Sequence, residues 1–210
     1  MLKISHEVPR CLLTSSTEFN DYDYCLPHLL DQDEEYKQYF IDARDKGRYV
    51  IMDNSLHELG EAYDFDRLLY WVNELEPDEF MVPDVWMQCA QTAAQAKYWL
   101  QFNFPEKTQK IAVIQGEDKN QLKDIKFHLL GCSIPQEFGW YDNNPRIESI
   151  DTSNPIMAAL EGIEYEEHGL NTKPSANMND HFDVDFMDIQ YGSILYNANK
   201  FKKINNLKQE

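Results

Sequence analysis

The sequence lacks a long run of apolar residues. Although 42% of its 210 residues are hydrophobic, no stretch approaches the roughly 20 consecutive apolar residues that a helix needs to cross a bilayer. The first ten residues, MLKISHEVPR, are too polar and too short for a secretory signal peptide. We therefore expect a cytoplasmic protein with no membrane partner.

The sequence also lacks the spacing patterns of metal and cofactor sites. Its cysteines are Cys11, Cys25, Cys89 and Cys132. No two of them stand two to four residues apart, as paired zinc ligands do, so we expect reduced thiols and no metal. His57 and Glu58 do not belong to an HExxH motif, and no P-loop or GxGxxG is present, so no cofactor is expected.

Basic residues are few. The chain has 19 of them against 37 acidic residues, which gives a formal net charge of −18. This balance argues against nonspecific binding to a nucleic-acid backbone, which needs a basic face. It permits a non-enzymatic acidic decoy that mimics DNA, but a mimic must spread its carboxylates over an outer surface. The acidic residues of interest here instead follow apolar runs.

Short apolar runs alternate with segments of helical period. Six runs predict buried strands: LKIS at the start, YVIMD at 49–53, EFMVPD at 79–84, KIAVIQG at 110–116, FHLLGC at 127–132 and IESID at 147–151. This alternation predicts parallel strands, and the length favours one domain over residues 1–210. The expected fold is α/β, either an open sheet or a compact or truncated (β/α) TIM-like barrel.

Three apolar stripes between these runs predict helices. They are Tyr36, Tyr39, Phe40 and Ala43, then Phe65, Leu68, Leu69, Val72 and Leu75, then Ala93, Ala96 and Leu100. Asp64 is the expected N-cap of the second helix. A short helix is expected in KNQLKDI, and another runs from Pro155 to Leu160 with Ser153 or Asn154 as its cap.

The segment 162–188 is polar and rich in turn formers, above all in NTKPSANMND. A long irregular segment inside a compact domain is usually functional or disordered. We therefore expect a mobile active-site loop here, in which Lys173 contributes to substrate binding.

Polar groups and glycines follow five consecutive runs at the point where each run ends. They are Asp53 with Asn54 and Ser55, then Asp84, then Gln115 with Gly116, then Gly131, and finally Asp151. Parallel α/β folds gather their working groups at these strand ends. Among three carboxylates, one can attack as a nucleophile and another can move protons. An amide such as that of Gln115 can read the edge of a ring, and glycine lets a flat ligand approach the backbone.

The order of these motifs resembles the tRNA-guanine transglycosylase superfamily, most of all the phage and bacterial branch that inserts 7-deazaguanines into DNA. The matching segments, in family order, are MDNSLHELGE, VPDV, VIQGE, LLGCSIP and SIDTSNP. They fall within residues 49–155. The resemblance implies a (β/α) barrel and exchange of a base at the glycosidic carbon. It also implies two partners, a nucleic acid (DNA or tRNA) and a free 7-deazaguanine base.

The resemblance implies a role for each matching residue. Asp151 corresponds to the aspartate that attacks the sugar and forms a covalent intermediate, and Asp53 to the aspartate that handles the proton of the base. The remaining matches are expected to bind substrate: Asn54, Ser55, Asp84, Gln115, Gly116 and Gly131.

The sequence departs from the tRNA enzymes in two respects. It has no C-terminal zinc site of three cysteines and a histidine, and it is much shorter. Both departures favour a DNA substrate and a minimal, phage-encoded relative acting in its host's cytoplasm. The same carboxylates would also suit a retaining nucleoside or N-glycoside hydrolase, in which water resolves the intermediate.

Overall fold

The structure is a computed structural model that describes residues 2–113, 126–131, 146–170 and 178–206. These residues form two compact units. One unit comprises the described residues of Met1–Tyr22 and Asp124–Glu210, and the other those of Asp23–Lys123.

The second unit contains a four-stranded parallel sheet. Its strands are β2 (Asp23–Cys25), β3 (Val50–Met52), β4 (Glu79–Met81) and β5 (Gln109–Ile111), in the order β2-β3-β4-β5. All three pairings are parallel. The three residues of β3 are buried on both faces of the sheet, as expected for a central strand in a parallel α/β arrangement.

The helices of the second unit follow from capping residues and apolar stripes. They are α1 (Pro27–Gln32), α2 (Glu34–Asp45), α3 (Leu56–Leu59), α4 (Phe65–Leu75) and α5 (Cys89–Trp99). The Asp33 carboxylate accepts the Tyr36 backbone N–H at the start of α2, and Asp64 accepts that of Arg67 at the start of α4. These bonds satisfy backbone donors that the first turn of a helix leaves unpaired.

The first unit contains a three-stranded parallel sheet. Its strands are β1 (Lys3–Ser5), β6 (Phe127–Leu129) and β7 (Ile147–Asp151), in the order β1-β7-β6. Its helices are α6 (Asn154–Leu160), α7 (Met178–His181) and α8 (Tyr191–Asn206), with short 3-10 turns at Arg10–Leu12, Ser15–Glu18 and Phe186–Asp188. The central strand β7 and helices α6 and α8 bury one apolar cluster: Leu2, Ile4, Ile150, Ala158, Tyr165 and Phe201.

The sequence predicted much of this architecture. The mixed α/β class with parallel strands is confirmed, as are α2, α4 with its Asp64 cap, and α6. Strand β2 was not predicted. The stripe of Ala93, Ala96 and Leu100 was wrong, since Leu100 is 69% exposed and α5 instead buries Thr92 and Trp99.

Other expectations stay predictions. Closure into a barrel and a single domain over residues 1–210 belong to this group. The KNQLKDI helix and Lys173 lie outside the described residues. Of the segment 162–188, the described parts include α7 and the turn at Phe186–Asp188. No helix in the described part of the chain has the length and apolar character needed to cross a membrane.

Candidate functional site

Asp151 is the last residue of β7 and the most buried of the predicted site carboxylates. Its side chain is 4% exposed. Its Oδ1 lies 2.9 Å from Nε2 of His128. The backbone N–H of Gly131 donates to both carboxylate oxygens, at 3.3 Å to Oδ1 and 3.2 Å to Oδ2. The end of β7 therefore delivers a buried carboxylate that two neighbouring groups orient.

His128 reaches Asp151 from the adjacent strand. It pairs in register with Ser149 across β6 and β7, and its Nδ1 lies 2.8 Å from the Ser149 hydroxyl. Ser149 and Asp151 share a face of β7 because they are two residues apart in a strand. The imidazole thus bridges a hydroxyl and a carboxylate, and its side chain is 3% exposed.

Gly131 follows β6 in the left-handed region, with φ of +58°. Glycine adopts this conformation without the steric cost that a Cβ imposes. The conformation places the Gly131 N–H against Asp151. The resemblance implies that Gly131 binds substrate, which stays a prediction, and in the structure its N–H contacts the Asp151 carboxylate.

The end of β7 is also held by buried polar contacts. The Thr152 N–H donates to the Ser5 carbonyl at 3.1 Å, and His6 Nδ1 lies 2.8 Å from the Thr152 carbonyl. Burial lowers the pKa of His6 to about 4, so the ring is neutral near pH 7 and Nδ1 carries the proton that Thr152 accepts. Tyr22 donates to the Ile150 carbonyl at 2.6 Å. These bonds fix the backbone on both sides of Asp151.

Asp151 does not cap the helix that follows it. The N-cap of α6 is Ser153, whose side chain makes no capping hydrogen bond, and Pro155 lies in the first turn. The carboxylate of Asp151 is therefore not engaged as a helix cap.

In the second unit, Asp53 directly follows β3 and is 8% exposed. Tyr24 donates its hydroxyl to Oδ1 at 3.0 Å, and the Ser55 N–H donates to Oδ2 at 3.0 Å. Both oxygens thus accept a hydrogen bond, and Asp53 is buried with its polar groups satisfied.

Asn54 connects the ends of β3 and β4. Its Nδ2 donates to Asp84 Oδ1 at 3.0 Å and to the Val82 carbonyl at 3.3 Å, and its Oδ1 accepts the Leu56 N–H at 3.1 Å. Parallel pairing places both strand ends at one edge of the sheet. Asp84 and Asn54 are consequently neighbours although 30 residues separate them.

Ser55 stands in the left-handed region, with φ of +57°. It is completely buried, and its hydroxyl lies 2.8 Å from Nδ1 of His28. A non-glycine residue in this region carries a conformational cost that its surroundings must offset, and such residues cluster at functional sites. The turn after β3 thus combines a strained backbone conformation at Ser55 with buried hydrogen bonds to its hydroxyl and N–H.

The structure divides the predicted site residues between the two units. Gly131 and Asp151 meet in the first unit, and the following four meet in the second: Asp53, Asn54, Ser55 and Asp84. Gln115, Gly116 and Lys173 lie outside the described residues.

Sequence reasoning missed the partners of these residues. His128 was visible as a polar residue within the apolar run FHLLGC, and Ser149 had the two-residue spacing from Asp151 that places both on one face. Tyr24 and His28 lie in and just after β2, a strand that the sequence did not predict.

Metal ligands do not cluster in the described part of the chain. No group of three or more His, Cys, Asp or Glu side chains there is arranged to hold a metal ion. Cys25 and Cys89 are free thiols, and burial raises the pKa of the Cys25 thiol well above its ordinary value.

Comparison with known proteins gives no relative for this chain. It matches no family model, no curated protein and no solved structure. Arguments about function therefore depend on the motifs and on the geometry of the two strand-end clusters.

Proposed function

We propose that this protein is a base-exchange transglycosylase. It replaces guanine in nucleic acid, with DNA favoured over tRNA, by a 7-deazaguanine through a covalent aspartyl-sugar intermediate. The observation that carries the proposal is the Asp151 carboxylate, which is buried at the end of β7 and held by Gly131 and His128. A fixed carboxylate at the carboxyl end of a parallel strand suits a nucleophile in this class of fold.

The reaction has two displacements at the anomeric carbon of the sugar. In the first, a lone pair of Asp151 forms a carbon–oxygen bond while the carbon–nitrogen bond to guanine breaks. The electron pair of that bond leaves with guanine, which takes up a proton. In the second, a nitrogen of the 7-deazaguanine loses its proton and attacks the same carbon, and the carboxylate departs. Covalent catalysis of this kind divides one difficult step into two easier steps.

The roles of Asp53, Asp84 and Asn54 in the proposal follow from the resemblance to the transglycosylase family. Asp53 is the acid and base in the proposal, with its carboxylate oriented by Tyr24 and Ser55. Asp84 and Asn54 present a carboxylate and an amide that are bonded to each other. An amide and a carboxylate together complement the donor and acceptor pattern of a purine edge.

The finer fold that we propose is a truncated (β/α) barrel. Strand order within each sheet supports it, since β2-β3-β4-β5 and β6-β7-β1 are both stretches of one cyclic order. In particular, the last strand, β7, pairs in parallel with the first strand, β1. A closed barrel pairs its first and last strands, whereas a simple open sheet built in chain order does not.

Burial distinguishes this proposal from an acidic decoy. A DNA mimic needs exposed carboxylates. As whole residues, Asp53 and Asp84 are each only 8% exposed and Asp151 is 2% exposed. These three acids therefore suit a site better than a phosphate-like outer surface.

Base exchange with labelled substrates tests the proposal. Purified protein is incubated with guanine-containing DNA or tRNA and isotopically labelled guanine or 7-deazaguanine, and nucleosides are analysed by mass spectrometry. We expect label in DNA with the wild type and none with Asp151→Asn. The matched control is Glu148→Gln, which removes an exposed carboxylate on the same strand and should exchange normally.

Two outcomes would contradict base exchange. Release of guanine that leaves abasic sites, without incorporation of label, would identify a hydrolase. Absence of both release and incorporation with either nucleic acid would remove the enzymatic proposal.

A further inference from the structure

We infer that His128, held by Ser149, is a positioning residue that orients Asp151 and leaves Oδ2 as the attacking oxygen. This inference rests on the proposed function, because it concerns the nucleophile of that reaction. It assigns roles to two residues, His128 and Ser149, that no sequence motif marked.

Strand pairing holds His128 in place. His128 and Ser149 are register partners on β6 and β7. The imidazole therefore sits on paired strands and not on a loop. Its side chain is 3% exposed, and Tyr22 packs edge-on against it with 6.3 Å between ring centroids. Groups on rigid elements hold a reactive side chain more closely than groups on loops do.

The proposed nucleophile is a carboxylate, which only accepts hydrogen bonds, so Asp151 fixes the proton of the His128 ring on Nε2. Nδ1 of the neutral imidazole then accepts a hydrogen bond from the Ser149 hydroxyl at 2.8 Å. Nε2–H donates to Asp151 Oδ1 at 2.9 Å. A hydrogen bond from N–H to an ionised carboxylate is about twice as strong as a neutral one. The hydrogen bonds from Ser149 through His128 thus fix the orientation of the Asp151 carboxylate.

The two oxygens of Asp151 differ in their hydrogen bonds. Oδ1 accepts His128 at 2.9 Å and the longer of the two Gly131 contacts at 3.3 Å. Among the described residues, Oδ2 accepts a hydrogen bond only from the Gly131 N–H, at 3.2 Å. Lone pairs on Oδ2 are consequently more available, so Oδ2 forms the bond to the anomeric carbon while Oδ1 becomes the carbonyl oxygen of the ester.

His128 orients Asp151 for the first displacement and also acts in the second. In the second one the carbon–Oδ2 bond breaks, its electron pair returns to the carboxylate, and the His128 N–H stabilises the negative charge as it reappears. The residue touches Asp151 and not the substrate, so its loss should lower kcat and leave KM nearly unchanged.

The side chains of Ser149, His128 and Asp151 are arranged differently from a serine-hydrolase triad. In that triad Nε2 of the histidine faces the serine and Nδ1 faces the aspartate. Here Nε2 faces Asp151 and Nδ1 faces Ser149. Ser149 also lies within the paired strand β7 instead of on a turn. The hydrogen bonds from Ser149 through His128 therefore orient the Asp151 carboxylate and do not activate the serine hydroxyl.

Kinetics of four variants test the inference. The variants are His128→Leu, His128→Gln, Ser149→Ala and the control His168→Leu, which changes an exposed histidine of the same unit. Exchange kinetics and the single-turnover rate of adduct formation are measured on protein whose folding is checked by circular dichroism.

We expect His128→Leu to lower kcat about 100-fold, since a misplaced reacting group costs on that order. Ser149→Ala should lower kcat about tenfold, on the order of the effect of one lost hydrogen bond that orients a reacting group. His128→Gln keeps an N–H donor of similar reach and should recover much of the loss. KM should stay within about twofold in all four, and His168→Leu should resemble the wild type.

Different results would overturn different claims. If the wild type reacts and His128→Leu matches its kcat, the positioning role is wrong while base exchange stands. A rise in KM without a fall in kcat would place His128 on the substrate instead. An adduct mapped to Ser149 would reverse the assigned roles. A wild type that neither exchanges bases nor forms an adduct would remove both proposals.

Discussion

At the scale of single residues, the hydrogen bonds that hold the Asp151 carboxylate depend on backbone conformation as much as on side chains. Gly131 is the clearest case, since its φ of +58° directs its N–H to the carboxylate. Another glycine of the same unit, Gly162, has φ of +76° after α6. An added Cβ would meet no atom within 4 Å at either position. Gly162 therefore serves as a matched control for substitution of Gly131.

Alanine at each of these glycines separates backbone strain from function. Both Gly131→Ala and Gly162→Ala should lower the free energy of unfolding by about 1 kcal/mol, the cost of a Cβ in the left-handed region. Only Gly131→Ala should also slow base exchange, by about tenfold or more, because relaxing its φ moves the N–H away from Asp151. Urea unfolding and the exchange assay give the two quantities. Equal exchange rates in the two variants would refute the role of the Gly131 N–H.

The sequence revealed which residues end the strands but not which residues they meet. Asp151, Asp53 and Asp84 were visible because each follows a recognisable apolar run. The contact between His128 and Asp151 was not, because it depends on β6 lying beside β7, and pairing between strands is a tertiary property. Local pattern thus locates a candidate carboxylate, and the sheet order determines which side chains lie beside it.

At the scale of elements, prediction succeeded where one face is strongly apolar. Helix α4 buries Leu68, Val72 and Leu75 at helical spacing behind the Asp64 cap, and it was predicted with its N-terminus. Strand β2 was missed because its three residues, Asp23–Cys25, combine a carboxylate with a short apolar stretch. Its Asp23 is buried against Arg48, a pairing that sequence cannot disclose.

Helix α5 shows the limit of apolar periodicity. Alanines offered a plausible stripe, but the unit instead buries Trp99, which stacks near-parallel on Phe104 at 5.9 Å between ring centroids. One large aromatic ring buries more apolar area than several methyl groups, so it determines which face turns inward.

At the scale of the whole molecule, global stability should depend on His6. Its pKa is about 4 in the folded protein and about 6.5 when unfolded. Between these values the unfolded chain binds the proton and the folded chain does not, so this contribution is complete above pH 6.5 and falls as the pH drops toward 4. The loss should reach about 3 kcal/mol, at 1.36 kcal/mol per pKa unit.

Chemical denaturation at pH 7.0 and pH 4.5 measures this dependence. His6→Gln removes the titrating ring and should reduce the difference between the two pH values, whereas His168→Gln at an exposed site should retain it. A pH dependence that is unchanged in His6→Gln would assign the effect to other groups.

The mass of the intact protein shows whether Asp151 attacks the sugar. The protein is mixed with a guanine-containing oligonucleotide, quenched in acid and analysed by mass spectrometry, and peptide mapping locates any adduct. We expect a wild-type adduct whose mass is that of protein plus oligonucleotide less guanine, attached at Asp151 and absent in Asp151→Asn. An adduct that persists in Asp151→Asn, or base exchange that proceeds without any adduct, would contradict attack by Asp151.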